Sequence, residues 1–527
     1  ARKETDRIMS SPRSSEGTEE NPTGEQTFVA FADTAIFALL VVALVLHPTQ
    51  MTVRQWAEAL TNGLSFGAGL ASKIPAVHLT LSHVLVLVAF AGWGILKWYR
   101  HGLKSLVQNY PLPLLGLILS ALISLLPFLK FARPAGTGPL AIGAGLKEFV
   151  QLCLLFVVSF LLIRDHLENP RRRKWIIVAF FTGVTIALIV GLMEYRRLRP
   201  PTPGGRSRGA LISAARLDAT FGFPGKRSGP HGQIGTRSNR NVFGAWLTII
   251  LPLLWAIFLY EKEVKVRIGA FLFSLIGALL LLHGGLWLAA MIGVLIVSFF
   301  RSRFAFLLTS AGMMIFFPLI FALAPQKPGQ ILLDSVMLRR TEDRFRTIIP
   351  LYDANPDLAK TGGTPDLTSG GRSPWQQRYI EWQPALLAFS QQSLFGHGLG
   401  NYQRVIGSYY SDKRFGAYNM SPAKAPKDLM EHGGNAFYAV WITETGFLGL
   451  LTFLWVLLAF IRMVGTQHDF NEENWGHYVA FGARGSLIAF AIGGLFTNYL
   501  VRGVGIALIF AFSLASSSST RDSTEEH

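Results

Sequence analysis

Long uncharged apolar runs alternate with polar or basic connectors along most of the chain. A run of about 20 apolar residues crosses a ~30 Å hydrocarbon core as a helix. Runs of this kind cover 28–46, 80–98, 111–130, 147–163, 175–195, 242–260, 267–283, 285–300, 303–324, 434–463, 478–498 and 500–516. The pattern predicts an all-α, polytopic transmembrane helical bundle of about twelve spans. The block 267–300 is apolar for too long to be one crossing, so it divides at His283-Gly284-Gly285, where glycine tolerates a tight reversal. No internal repeat is visible.

Lys and Arg in short loops set the expected orientation. Lys97–Lys104, Arg164–Lys174, Glu261–Arg267 and Arg301–Arg303 fall on the cytoplasmic side, and both termini follow them there. Segment 325–433 then lies outside, as a partly helical loop between the ninth and tenth spans, with its Gly-, Pro- and Ser-rich middle irregular. Residues 1–27 and 517–527 read as cytoplasmic tails, the first without a cleavable signal-peptide pattern.

One outer loop departs from the charge bias. Residues 196–241 carry ten basic residues, among them Arg216, Arg237 and Arg240, against the single acid Asp218. Arginine forks grip phosphate or pyrophosphate bidentately, and Ser238-Asn239-Arg240-Asn241 opens a helix whose N-terminus favours anions. The other reading is a solvated loop resting on anionic headgroups.

Composition agrees with a membrane protein: half the residues are hydrophobic and 15% charged, with a mean hydropathy of +0.36. The net charge of +17 suits anionic lipid or phosphate rather than a nucleic-acid partner in this setting. A single cysteine, Cys153, excludes internal disulfides and thiolate-metal clusters.

Candidate chemistry concentrates between Arg378 and Leu451. His432 precedes Asn435 by three residues, so the two share a face once a helix has begun. A neutral imidazole there can accept a proton from an attacking hydroxyl; the alternative is a helix-cap histidine. Glu444, in Ile442-Thr443-Glu444-Thr445-Gly446, either binds a sugar hydroxyl or lies solvated at the interface where the helix bends. Arg378 and Trp382 mark an amphipathic helix along the membrane surface, from which Arg378 can reach an anionic substrate. Gly396-His397-Gly398-Leu399-Gly400 reads as a tight turn, with His283 and His397 structural. No P-loop, metal-ligand motif or nucleophile elbow occurs, so no metal and no cofactor are expected. Charges near the membrane centre look nearly absent, which speaks against ion-coupled transport.

With these pieces placed, the chain resembles the O-antigen ligase / O-antigen polymerase family of bacterial inner-membrane glycosyltransferases. The resemblance covers about 216–465. It rests on R-L-D-A-T-F-G-F and S-N-R-N-V-F-G-A-W-L, on the paired spans around 267–300, on R-Y-I-E-W with L-F-G-H-G-L-G-N-Y, and on N-A-F-Y-A-V-W-I-T-E-T-G-F-L-G-L. It implies metal-independent transfer of a glycan from undecaprenyl pyrophosphate to an acceptor hydroxyl on a lipid A core or a growing glycan, at the periplasmic face of the inner membrane. It also implies that a histidine near His432 acts as base and that arginines matching Arg216, Arg240 and Arg378 hold the pyrophosphate; Asn435 is the candidate helper of His432, and Arg237 a further substrate-binding candidate beside Arg240. Two positions depart from the family pattern. Its Ser-Arg-Gly at the reversal is His283-Gly284-Gly285 here, and its usual histidine falls on Asn435. A non-catalytic membrane subunit binding the same lipid-linked glycan is the alternative on this scaffold.

Overall fold

The structure, a computed structural model, describes residues 24–48, 80–102, 110–125, 140–196, 237–281, 284–323, 374–402, 405–406, 409, 436–463, 475–497, 499 and 504–517. The described residues form helices and connecting turns, with no strand among them. In order they are α1 (Gly24–Leu46), α2 (Leu81–His101), α3 (Leu112–Ile123) and α4 (Leu140–Cys153). A π-helical turn, Leu154–Ser159, joins α4 to α5 (Phe160–Glu168). Then follow α6 (Pro170–Arg196), α7 (Arg237–Tyr260), α8 (Val264–Leu280), α9 (Gly284–Arg301) and α10 (Arg303–Leu323). The last four are α11 (Pro374–Gln391), α12 (Phe437–Met463), α13 (Trp475–Gly493) and α14 (Val504–Ser517).

Six stretches are long and apolar enough to cross a membrane: Glu25–Leu46, Leu81–His101, Gly145–Glu168, Pro170–Leu192, Phe243–Tyr260 and Phe437–Met463. The described residues are therefore those of a helical membrane protein. The other apolar runs form shorter helices within the described residues. The expected division of 267–300 is present: α8 ends at Leu280 and α9 begins at Gly284. The Trp287 indole, which donates to the Ala278 carbonyl at 3.0 Å, pins the two together.

Amphipathicity sorts the helices into layers. α14 is apolar on every side, and its residues from Val504 to Ala515 are buried, as a helix without a polar face must be. Around it stand α5, α7, α12 and α13. The outer helices turn Phe31, Ile95, Leu115, Phe304, Leu307 and Met314 to their surroundings. Exposed apolar bands of this extent match a hydrocarbon solvent.

Small residues let the inner helices approach. A Cβ on Gly293 of α9 would lie 2.8 Å from the Gly485 carbonyl of α13, and one on Gly485 would lie 2.8 Å from the Gly293 carbonyl. Pro252 of α7 touches the same point. In a membrane such backbone proximity gains dispersion contacts that lipid cannot supply. Side chains add interhelical bonds: Ser486 donates to the Ile249 carbonyl at 2.5 Å, and Trp255 to Ser298 at 2.8 Å. At the opposite flank a bidentate Arg172–Asp33 pair joins α6 to α1, while Asp165 of α5 takes Trp93 and Lys97 of α2.

Candidate functional site

The described residues between α11 and Gly446 form one unit. α12 is not continuous: Gly446 has φ 67° and ψ −160° within it, so the helix breaks there. Only glycine adopts such a backbone cheaply. A break leaves carbonyls of the first half and amides of the second without helical partners, which in a membrane interior is costly.

The turn after α11 supplies those partners. The His397 amide donates to the Thr443 carbonyl at 2.8 Å, and the Gly398 amide to the Glu444 carbonyl at 2.9 Å. In the other direction the Phe447 and Leu448 amides donate to the Ser393 and Leu394 carbonyls at 2.8 and 3.2 Å. Gly396, Gly398 and Gly400 all have positive φ, between 68° and 89°, which explains the G-x-G-x-G spacing. The tight turn expected from the sequence is thus present, and it caps both ends of a broken helix.

Two contacts show which way α11 runs. Thr443 Oγ1 reaches the Ala385 carbonyl at 3.5 Å, and Ser393 reaches Phe447. As numbering rises in α11 it rises in α12, so the two helices run in the same direction. α11 runs beside the first half of α12 as an arm that ends in the glycine turn. Trp382 packs with Ala385, Tyr402, Ile406, Ala436 and Ala439, burying the seam. Non-helical backbone is tolerated at depth because protein surrounds it. Gly446 lies nine residues into α12, roughly 13–14 Å along its axis. At the tip, Leu394, Phe395 and Phe447 expose apolar surface.

Glu444 sits in the middle of this junction, 7% exposed. The expectation of a solvated interfacial carboxylate is corrected: Oε1 accepts the Tyr402 amide at 3.0 Å, and the Gly400 amide is a second donor. The carboxylate anchors the ascending limb of the turn. Asn401 closes the limb from inside, its amide nitrogen donating to the Gly398 and Leu399 carbonyls at 3.2 and 3.0 Å. His397 is structural, as its isolation suggested. Its Nε2 faces the Ala388 carbonyl at 2.9 Å, and a carbonyl only accepts, so Nε2 carries the proton. Burial holds the imidazole below the ordinary histidine range.

The sequence reading missed a second carboxylate. Glu148 of α4 is close enough to act electrostatically on Glu444. One turn earlier, a Cβ on Gly145 would lie 2.7 Å from the Leu399 carbonyl, so α4 forms a wall of the junction. Glu148 and Glu444 thus both stand within apolar helices. The signal was available in Glu148, which follows Lys147 just inside an apolar run.

The remaining predicted site residues divide in two groups. Arg216, His432 and Asn435 lie outside the described residues. For Arg237, Arg240 and Arg378 the helical backbone alone is described. Those backbones gather at one end of the bundle. Ser486 meets Ile249 and Tyr478 meets Tyr260, so α7 and α13 run antiparallel. The Phe437 amide, at the start of α12, donates to the Thr497 carbonyl just beyond α13 at 3.1 Å. The starts of α7, α11 and α12 therefore share that end. No cluster of three or more His, Cys, Asp or Glu that would hold a metal occurs among the described residues.

Neither a family model nor a curated protein matches the chain.

Proposed function

We propose that this protein is a membrane glycosyltransferase, a ligase or polymerase of surface polysaccharide. It moves a glycan from undecaprenyl pyrophosphate to an acceptor hydroxyl without a metal. In this proposal about twelve spans lie in the bacterial inner membrane, with both termini cytoplasmic and the end where α11 starts periplasmic. One observation supports it above the rest: three segments rich in the required chemistry start at one end of the bundle. These are the Arg237–Arg240 entry to α7, the Arg378-bearing arm α11, and the start of α12, which His432 and Asn435 precede in the sequence.

In the proposed reaction His432 takes the proton from the acceptor hydroxyl, and Asn435 orients it. The acceptor oxygen bonds to the anomeric carbon as the bond to pyrophosphate breaks, and the pyrophosphate leaves with the electron pair. Arg216, Arg237, Arg240 and Arg378 hold the departing charge, since a leaving group of this charge in a low-dielectric site requires fixed cations. Glu444 keeps the glycine turn in register beneath the site.

The test is transfer in detergent with purified protein, an undecaprenyl-pyrophosphate glycan and candidate acceptors. Transfer lost in both His432→Ala and Arg216→Ala is the expected result. Undiminished transfer by His432→Ala removes that residue from the mechanism. Donor binding without transfer in the wild type replaces the enzyme by a glycan-binding membrane subunit.

A further inference from the structure

The end of α11 carries three polar side chains that the capping of the broken helix does not use. Tyr409 donates its hydroxyl to Gln391 Oε1 at 2.5 Å. The Tyr409 ring stands edge-on to the His397 imidazole, with centroids 6.5 Å apart and planes at 64°. His397 gives its Nε2 proton to the Ala388 carbonyl, so the neutral ring keeps its lone pair on Nδ1. Gln391 keeps both hydrogens of its amide nitrogen, because Tyr409 engages its oxygen. Gln391 is exposed, His397 half-buried and Tyr409 buried. The tyrosine therefore lies beneath, and its hydroxyl orients the more open glutamine.

The level of this trio in the bundle follows from the pairing of α11 with α12. The Ala385 carbonyl of α11 faces Thr443 of α12, and the His397 amide donates to the carbonyl of that same threonine. Arg378 precedes Ala385 by seven residues, as Ala436 precedes Thr443. The Arg378 backbone and Ala436 therefore share a level about 10 Å nearer the start of both helices. The trio lies beyond that level, toward the middle of the apolar stretch Phe437–Met463. Ser390, Gln391, Gln392 and Ser393 are exposed in succession, a run that suits water and headgroups rather than hydrocarbon.

We propose that Gln391 and His397 bind the hydroxyls of one sugar ring of a membrane-anchored acceptor glycan, the ring next to its lipid; this rests on the transferase reading. A sugar hydroxyl both donates and accepts, so it matches an amide donor on one side and an imidazole acceptor on the other. A pyranose carries hydroxyls on opposite edges. With a hydrogen bond of about 2.8 Å at either end, one ring bridges side chains on the two sides of a tyrosine. An anion fits poorly, because the Nδ1 lone pair repels it. In the proposed reaction the donor has its polyprenyl chain, not sugar, on the membrane side of the pyrophosphate. An acceptor anchored in the membrane instead has its first sugars there. It passes the end of α11 before its reacting hydroxyl reaches the level of Arg378.

Transfer by the full chain in detergent is followed with an undecaprenyl-pyrophosphate glycan as donor and a lipid-linked glycan as acceptor, each varied in turn. Gln391→Leu raises the acceptor KM about fivefold or more, the loss of one hydrogen bond, and leaves kcat and the donor KM unchanged. Gln391→Glu still accepts from Tyr409 but has no amide hydrogens, and raises the acceptor KM as well. His397→Phe, which removes the acceptor nitrogen, acts in the same direction. Gln392→Leu, at the exposed neighbour, changes nothing. An acceptor cut from its lipid together with the adjoining sugar no longer distinguishes wild type from Gln391→Leu. An unchanged acceptor KM in Gln391→Leu, or an equal rise in Gln392→Leu, overturns the subsite and leaves the transferase standing. A rise in the donor KM alone places the donor glycan there and overturns the acceptor. Discrimination that survives with the shortened acceptor overturns the sugar next to the lipid as the one bound. No transfer by the wild type overturns the transferase reading and this subsite with it.

Discussion

Gly396 and Gly446 meet backbone to backbone: a Cβ on Gly446 would lie 2.5 Å from the Gly396 nitrogen, and one on Gly396 would lie 2.6 Å from the Gly446 nitrogen. Both residues have φ near +68°. Each therefore needs glycine twice over, for its conformation and for the space. Gly396→Ala and Gly446→Ala are each expected to destabilise by at least the ~1–3 kcal/mol of a strained backbone. Gly269→Ala is the control, because its Cβ meets nothing within 4 Å in α8. It should stabilise by about 0.5–1 kcal/mol. Melting in detergent distinguishes the three.

Glu444 separates anchoring from charge. Glu444→Gln keeps an oxygen for the Tyr402 and Gly400 amides, and should fold with nearly wild-type stability. Glu444→Ala leaves those buried donors unpaired, at a cost of about 1–3 kcal/mol. Limited proteolysis between 398 and 410 reads release of the ascending limb: fast in Ala, slow in Gln. Equal cleavage in both would remove Glu444 as the anchor.

His397 should make the arm sensitive to acid. Burial lowers its pKa in the folded protein from the ordinary 6.5. Below about pH 6.5 the unfolded chain then binds a proton that the folded chain refuses. The stability His397 contributes is complete above that value and declines as pH falls through the folded pKa. The slope is at most about 1.4 kcal/mol per pH unit. His397→Gln should flatten the decline between pH 7.5 and 5 relative to wild type, as melting points across that range will show.

The contact of α9 with α13 is equally strict. A Cβ on Gly485 would lie 2.4 Å from the Val297 side chain and 2.8 Å from the Gly293 carbonyl. Gly485→Val should force the helices apart and cost about 1–3 kcal/mol, as overpacking does elsewhere. Gly312→Val, where a Cβ meets nothing within 4 Å, should cost well under half of that by the same melting assay.

The apolar helices were legible in the chain alone. Uninterrupted apolar length forces helices in a membrane, because no other open structure satisfies its own backbone there. The division of 267–300 was legible for the same reason, since one helix of that length overshoots the bilayer. The turn at 396–400 was legible because three alternating glycines have few other uses. Packing in three dimensions assigns each turn and charge its part. Thr445-Gly446 looks like an ordinary bend until the orphaned carbonyls of Thr443 and Glu444 are seen to meet the amides of His397 and Gly398. Arg378 and Trp382 have the spacing of a surface helix, yet Trp382 packs into a seam with Ala436 and Ala439. Hydrophobic periodicity reports which face of a helix is apolar; it carries no information on whether lipid or another helix covers that face. Nor does spacing along the chain pair Glu444 with Tyr402, or Arg484 with Phe300. Those pairings come from segments far apart in sequence, brought together by packing alone.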